Sequence, residues 1–195
     1  MIALDSSKNV YVPNRADSFF VLDTMGNLLR TFVVPGWFHF IIAGNELYID
    51  IPNSNINDSI VVYSLSGARI RSWLLCASNN CVLSLLADSN AIMAGNSCLG
   101  QVTIFDTSGS TLSTIGTAPF SSGIAYDRAK ARLFVNNAQV NLLRVFDKNG
   151  NLLAQYQPSI LQESPPGSIA RDQNGFIYEI IPQGNEIVKM HCLLP

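Results

Sequence analysis

Apolar residues in this chain come in short bursts separated by polar turns, and no helical spacing connects one burst to the next. The bursts fall into a fixed order. A first strand is expected at "IAL" (2–4), "FII" (40–42), "LSLLA" (83–87), "GIAY" (123–126) and "SIA" (168–170). A polar turn leads to a second strand: "NVYV", "ELYI", "AIMA", "RLFV" and "FIYE". After a loop rich in Asn and Pro, a third strand is centred on Leu22, Tyr63, Phe105, Phe146 and Met190. A glycine turn then returns a fourth strand: "LLRTF", "RIRSW", "TLSTI" and "LLAQY". Within the strands the apolar residues run almost continuously instead of alternating, which predicts sheets covered on both faces.

The turn glycines Gly26, Gly67, Gly109 and Gly150 recur every 41 or 42 residues. Four short strands in a unit of about 41 residues form the pattern of a β-propeller blade. The physical reason for repetition is burial. One four-stranded sheet cannot hide its own faces, whereas blades ringed around an axis cover each other. The predicted fold is therefore all-β, a single propeller domain of four-stranded antiparallel blades. Its five units cover about 1–38, 39–82, 83–121, 122–166 and 167–195. The last is incomplete, since it ends at "EIVKMHCLLP" without a hairpin and fourth strand.

Stretches such as "IALDSSKNVYVPN…FFVLDTMGNLLRTF" and "GIAYDRAKARLFVNN…LLRVFDKNGNLLAQY" resemble the NHL repeat. The shared elements are an Asp after the first strand, an aromatic second strand and a V-F-D-x-x-G hairpin. The resemblance covers nearly the whole chain, most loosely in the second and fifth units. It implies a propeller that commonly has six blades, or roughly 250 residues at this repeat length. The chain is then either a five-unit ring with a three-stranded last blade or a segment of a longer propeller. In both accounts the open last blade is an unpaired edge through which copies could self-associate. The resemblance also implies a protein-binding platform. Its less favoured implication is a hydrolase or lactonase with calcium in the central channel.

Composition narrows these choices. Charged residues make up 13% of the chain and the net charge is −2, with Lys and Arg scattered. No basic stripe is available to neutralise phosphates, so no nucleic-acid partner is expected. No apolar run is long enough to cross a bilayer as a helix, so no membrane partner is expected either. Met1 is followed at once by strand-like sequence, so no leader peptide is expected in this chain, and the compartment stays open. Cys76, Cys81, Cys98 and Cys192 match no zinc spacing. They read as free thiols, with a small disulfide loop in "CASNNC" as the alternative.

A propeller has two rims. One collects the hairpin turns inside each blade, and here it holds most of the charge. The other collects the loops between second and third strands and the connections between blades. Residues that recur in every blade serve the blade, so those that break the repeat are the candidates for binding. Asp5, Asp88, Asp127 and Asp172 recur after the first strand and read as turn starters. A ring of carboxylates gripping calcium at the channel mouth is their alternative role. Asn14, Asn53, Asn96 and Asn136 recur just after the second strand and are expected to satisfy loop backbone.

Trp37, Phe38, His39 and Phe120 do not recur. Sitting on connections between blades, they are the expected anchors for a protein partner, with Asn53, Asn55 and Asn79 supplying hydrogen bonds. Trp37, Phe38 and Phe120 would otherwise pack between blades, and His39 would be a hydrogen-bonded loop residue. Two histidines on different units cannot build a three-histidine metal site, and no nucleophile elbow is present. No catalytic residue and no cofactor are assigned. The expected function is a non-catalytic scaffold that binds protein through its inter-blade loops; the alternatives are a propeller hydrolase or lactonase with a metal in the channel and a purely structural fragment of a larger sensor protein.

Overall fold

The computed structural model describes residues 2–14, 17–36, 39–53, 57–76, 82–88, 90–119, 121–137, 142–157, 169–172, 174–181 and 186–191. Nineteen strands in these residues form five antiparallel sheets, in each of which the strands follow chain order from one edge to the other. Blade 1 holds β1 (Ala3–Leu4), β2 (Val10–Asn14), β3 (Ser18–Leu22) and β4 (Leu28–Val33). Blade 2 holds β5 (His39–Ala43), β6 (Glu46–Asn53), β7 (Asn57–Ser64) and β8 (Arg69–Cys76). Blade 3 holds β9 (Val82–Asp88), β10 (Ala91–Asn96), β11 (Gln101–Asp106) and β12 (Thr111–Gly116). Blade 4 holds β13 (Ser121–Asp127), β14 (Arg132–Asn137), β15 (Leu142–Asp147) and β16 (Leu152–Tyr156). Blade 5 has three strands, β17 (Ile169–Arg171), β18 (Phe176–Ile181) and β19 (Glu186–His191).

The innermost strands β1, β5, β9, β13 and β17 stand side by side around the axis. All five blades line one central cavity of about 880 Å³. The predicted all-β propeller of five units, with a three-stranded last blade, is the fold observed.

Packing between successive blades makes four apolar clusters. Tyr11, Phe19 and Val21 of blade 1 meet Phe40, Leu47 and Ile49 of blade 2. Tyr48 and Ile60 meet Ile92 and Phe105 across the second junction. Met93 and Ile115 meet Leu133 and Phe146 across the third, and Phe134 and Val145 meet Ile177 across the fourth. Residues next to each other on a second strand point to opposite neighbours, as strand geometry demands. Tyr48 faces forward while Leu47 and Ile49 face back. Full burial of one such side chain stabilises by roughly 1.5–3 kcal/mol, so the junctions hold the fold together.

One turn type closes the hairpins between third and fourth strands. In blade 1 the Gly26 amide donates to the Asp23 carbonyl at 3.0 Å, with Gly26 at φ +85°. Such a turn feeds a one-residue bulge into the returning strand. The register shifts at Val21/Leu22, Val62/Tyr63, Ile104/Phe105 and Val145/Phe146 are the four copies. The turn of each later blade sits on the fourth strand of the blade before it. A Cβ on Gly67 would lie 2.7 Å from Phe32, and one on Gly109 would lie 2.5 Å from Trp73. The recurring glycine and the recurring end of strand four are thus two halves of one contact.

Two expectations need correction. His39, expected in a loop, is the first residue of β5 and pairs with Asp50. Cys98, expected as a free thiol, is disulfide-bonded. The two residues of "CASNNC" that would close the alternative loop lie outside the described side chains.

Candidate functional site

On the hairpin rim the carboxylates are engaged by their own turns. The Asp147 carboxylate accepts from the amides of Asn149 and Asn151 at 2.8 Å and from the Asn151 side chain at 2.8 Å. Those bonds, the Asn151 side chain's first, hold its pKa below the usual carboxylate range. Asp23 and Asp106 repeat the arrangement. Asp5 accepts from the Asn9 backbone and side chain at 2.9 Å. Asp172 accepts from the amides of Asn174 and Phe176 and from the Tyr178 hydroxyl at 3.0 Å. Burial would raise the pKa of both Asp5 and Asp172, yet these donors bring them to a net lowering.

The remaining two members of the proposed carboxylate ring face guanidiniums. Asp127 lies 2.9 Å from Arg171 and also accepts from the Lys130 amide, and Asp88 lies 3.7 Å from Arg128. The structure therefore distributes Asp5, Asp88, Asp127 and Asp172 over four separate turns instead of converging them. Among the described residues no group of three or more His, Cys, Asp or Glu is placed to hold a metal ion.

The central cavity is apolar. Phe40, Ile41, Leu85, Leu86, Ile124 and Ile169 contribute most of its character, and among the described residues the polar side chains lining it are His39 and Ser84, from different blades. No carboxylate is among its described lining residues. The described lining offers an apolar ligand space.

The connection rim is built differently. His39 Nδ1 lies 3.5 Å from Asp50 Oδ2, with the histidine largely and the aspartate almost wholly buried. Strand alternation puts His39 and Asp50 on the face of blade 2 that meets blade 3, continuing the side of Ile41 and Tyr48. Asp58 shares that face through Ile60 and Val62, and is itself buried. Burial pushes the Asp50 carboxyl above its ordinary range; His39 opposes this and the charge of Asp58 adds to it. The connection-rim edge of the junction between blades 2 and 3 is therefore acidic, its middle is apolar, and its hairpin-rim edge carries the Glu46–Arg71 pair.

Between blades 4 and 5, Asn136 donates to Glu179 Oε1 at 3.0 Å, while Glu179 Oε2 has no hydrogen-bond partner among the described residues. Burial raises the Glu179 pKa and the Asn136 bond opposes it. At the third junction Arg144 donates to the Thr117 carbonyl at 2.5 Å and the Asn137 side chain to the Pro119 carbonyl at 2.5 Å. These three junctions thus end at this rim in different polar chemistry.

Of the expected partner-binding residues, Trp37, Phe38, Asn55, Asn79 and Phe120 lie outside the described residues. Asn53 closes β6 and pairs with Asn57, its side chain also outside them. His39 is placed at the rim as expected, though on a strand. Asp50, Asp58 and Glu179 were assigned to no site from the sequence. The signal for Asp50 and Glu179 was a carboxylate inside an apolar strand, as in "ELYIDI" and "FIYEI".

No family model matches the chain, and no curated protein does. Solved structures match throughout its length. Kuenenia stuttgartiensis hydrazine synthase is similar with a TM-score of 0.76 and 15% identity, over 100% of this chain and 71% of that one. A streptogramin B lyase gives 0.71 at 15% identity, over 100% and 68%. Virginiamycin B lyase from Staphylococcus aureus gives 0.71 at 13%, over 100% and 70%. At such identities the likeness shows a shared propeller fold.

Proposed function

We propose that this chain is a non-catalytic, NHL-like propeller scaffold that binds a protein partner on its connection rim. The observation that supports this reading is the division between the rims. Hairpin-rim carboxylates are occupied by their own turns and by arginines, and the channel wall is apolar. What differs from blade to blade, and so is free to recognise something, lies at the connection rim around His39 and Asp50. There Trp37, Phe38 and Phe120 bury apolar area against the partner, and Asn53, Asn55 and Asn79 contribute hydrogen bonds.

The guanidiniums of Arg30, Arg71, Arg144 and Arg171 are all engaged within the fold, which argues against a phosphate-binding face. Two similar structures carry lyase names, and their shared fold alone does not bring that activity here.

Photo-crosslinking tests the reading. A benzophenone side chain is placed at Trp37, expected from the sequence on the connection rim, or at Met25, on an exposed hairpin turn. One protein should be captured from position 37 in native extract and be absent from position 25. Equal capture at both sites, or none at position 37, defeats the proposal.

A further inference from the structure

Two carboxylates are buried in the junction between blades 2 and 3, Asp50 at 2% and Asp58 at 1% exposure. Both lie at its connection-rim end with His39, whose Nδ1 is 3.5 Å from Asp50 Oδ2. The surrounding sequence brings them no Lys or Arg, since neither 31–68 nor 72–127 contains one. Between those runs, Arg69 donates to Ser72 on the outer strand, and Arg71 is bound to Glu46 at the opposite rim, where the Tyr48 hydroxyl also donates to Glu46. Blade 3 adds Asp88 and Asp106, both at its hairpin rim, the first beside Arg128 and the second held in its own turn.

From the facing side, blade 3 offers an amide. Asn96 continues the alternation of Ile92 and Ala94, which pack toward blade 2, and is itself 3% exposed. Its Oδ1 accepts from the Leu99 amide at 2.9 Å. Its Nδ2, like Asp50 Oδ1, has no hydrogen-bond partner among the described residues.

One histidine can offset one carboxylate. With both carboxyls ionised, a second negative charge lies in a water-poor junction, a state that burial and like-charge repulsion both disfavour. Letting water in relieves it. The middle of the junction is held by Tyr48, Ile60, Ile92 and Phe105, and its hairpin-rim end by the Arg71 bonds to Glu46 and to the Thr107 carbonyl. Opening is therefore confined to the connection rim.

We propose that this end of the junction is a proton-operated latch: it stays closed while Asp50 carries a proton and opens at the connection rim, about the Arg71 clamp, when that proton passes to solvent. The latch needs no partner to work, so it is tested apart from the scaffold reading. Burial first, and the Asp58 charge with it, hold the Asp50 pKa above its ordinary value against the influence of His39. The closed form thus binds the proton more tightly, and closure is lost as pH rises from the ordinary carboxylate value through the raised one.

Ala94→Cys places a thiol inside this junction, and Val135→Cys places a reference thiol inside the junction between blades 3 and 4. Labelling by 4,4′-dithiodipyridine is read at each position by peptide mass spectrometry over a series of pH values. The ratio of the two rates cancels the pH dependence of the thiol chemistry and of global unfolding. That ratio, position 94 over 135, should rise roughly tenfold per pH unit, one proton being released on opening, and then level off. Asp50→Asn should abolish the rise. Should that variant not fold, Asp58→Asn serves, because it removes a charge that raises the Asp50 pKa and so moves the levelling to lower pH. A ratio that is flat or falls with pH in the parent overturns the latch. So does a rise that persists in Asp50→Asn, or one that Asp58→Asn leaves unmoved.

Discussion

Replacing the hairpin glycines one at a time by alanine measures how far the turn of one blade is seated on the blade before it. Gly26, Gly67, Gly109 and Gly150 all have φ between +85° and +96°. Each substitution therefore carries the same backbone term, about 1–2 kcal/mol for an L-residue in the left-handed region. Loss of glycine's freedom in the unfolded chain, roughly 0.4–1 kcal/mol in the opposite direction, is also common to all four. Both terms cancel in the comparison, and the contact term remains. It is zero at Gly26 and small at Gly150, where a Cβ would sit 3.5 Å from Ile115. At Gly67 and Gly109 the new methyl would overlap Phe32 and Trp73 at 2.7 and 2.5 Å.

Overpacking of that kind costs about 1–3 kcal/mol. Each kcal/mol lowers the melting midpoint of a chain this size by about 2–4 °C. Thermal melts should therefore rank Gly26→Ala as mildest, Gly150→Ala close to it, and Gly67→Ala and Gly109→Ala lower by several degrees more. The extra loss at Gly109 should shrink in a Trp73→Leu background, where the ring it strikes is gone. Equal losses at Gly26 and Gly109, or an unchanged loss in that background, would refute the contact between turn and preceding blade.

Glu179→Gln keeps the oxygen that accepts from Asn136 and removes a buried charge whose second oxygen has no partner. Because the folded pKa lies above the unfolded one, the native state binds the proton more tightly and stability falls as pH rises from the unfolded value through the folded one. The variant should therefore melt higher than the parent at neutral pH and lose that advantage below the unfolded carboxyl pKa; the reverse trend excludes the assignment. Arg71 reaches from blade 2 to blade 3, donating to both Glu46 oxygens at 2.8 and 2.6 Å and to the Thr107 carbonyl at 2.6 Å. Arg71→Lys should lose about 1–3 kcal/mol in urea titration, because an ammonium cannot serve the fork and the carbonyl together; a loss under a few tenths would show the bridge to be idle.

Much of the architecture was legible because its cause is local. A turn that starts on Asp, or on Ser64 in blade 2, needs a left-handed residue at its fourth position, and that requirement left a glycine every 41 or 42 residues. Where the requirement is met otherwise, the signal disappeared. Blade 1 makes a similar turn at Asp5 with Lys8 at φ +64°, and no glycine marks it. The rim candidates were only partly legible, since a residue that breaks a repeat shows where variation is tolerated without showing what it faces. Asp50 and Glu179 are charges within apolar strands, and only alternation and register put them between blades.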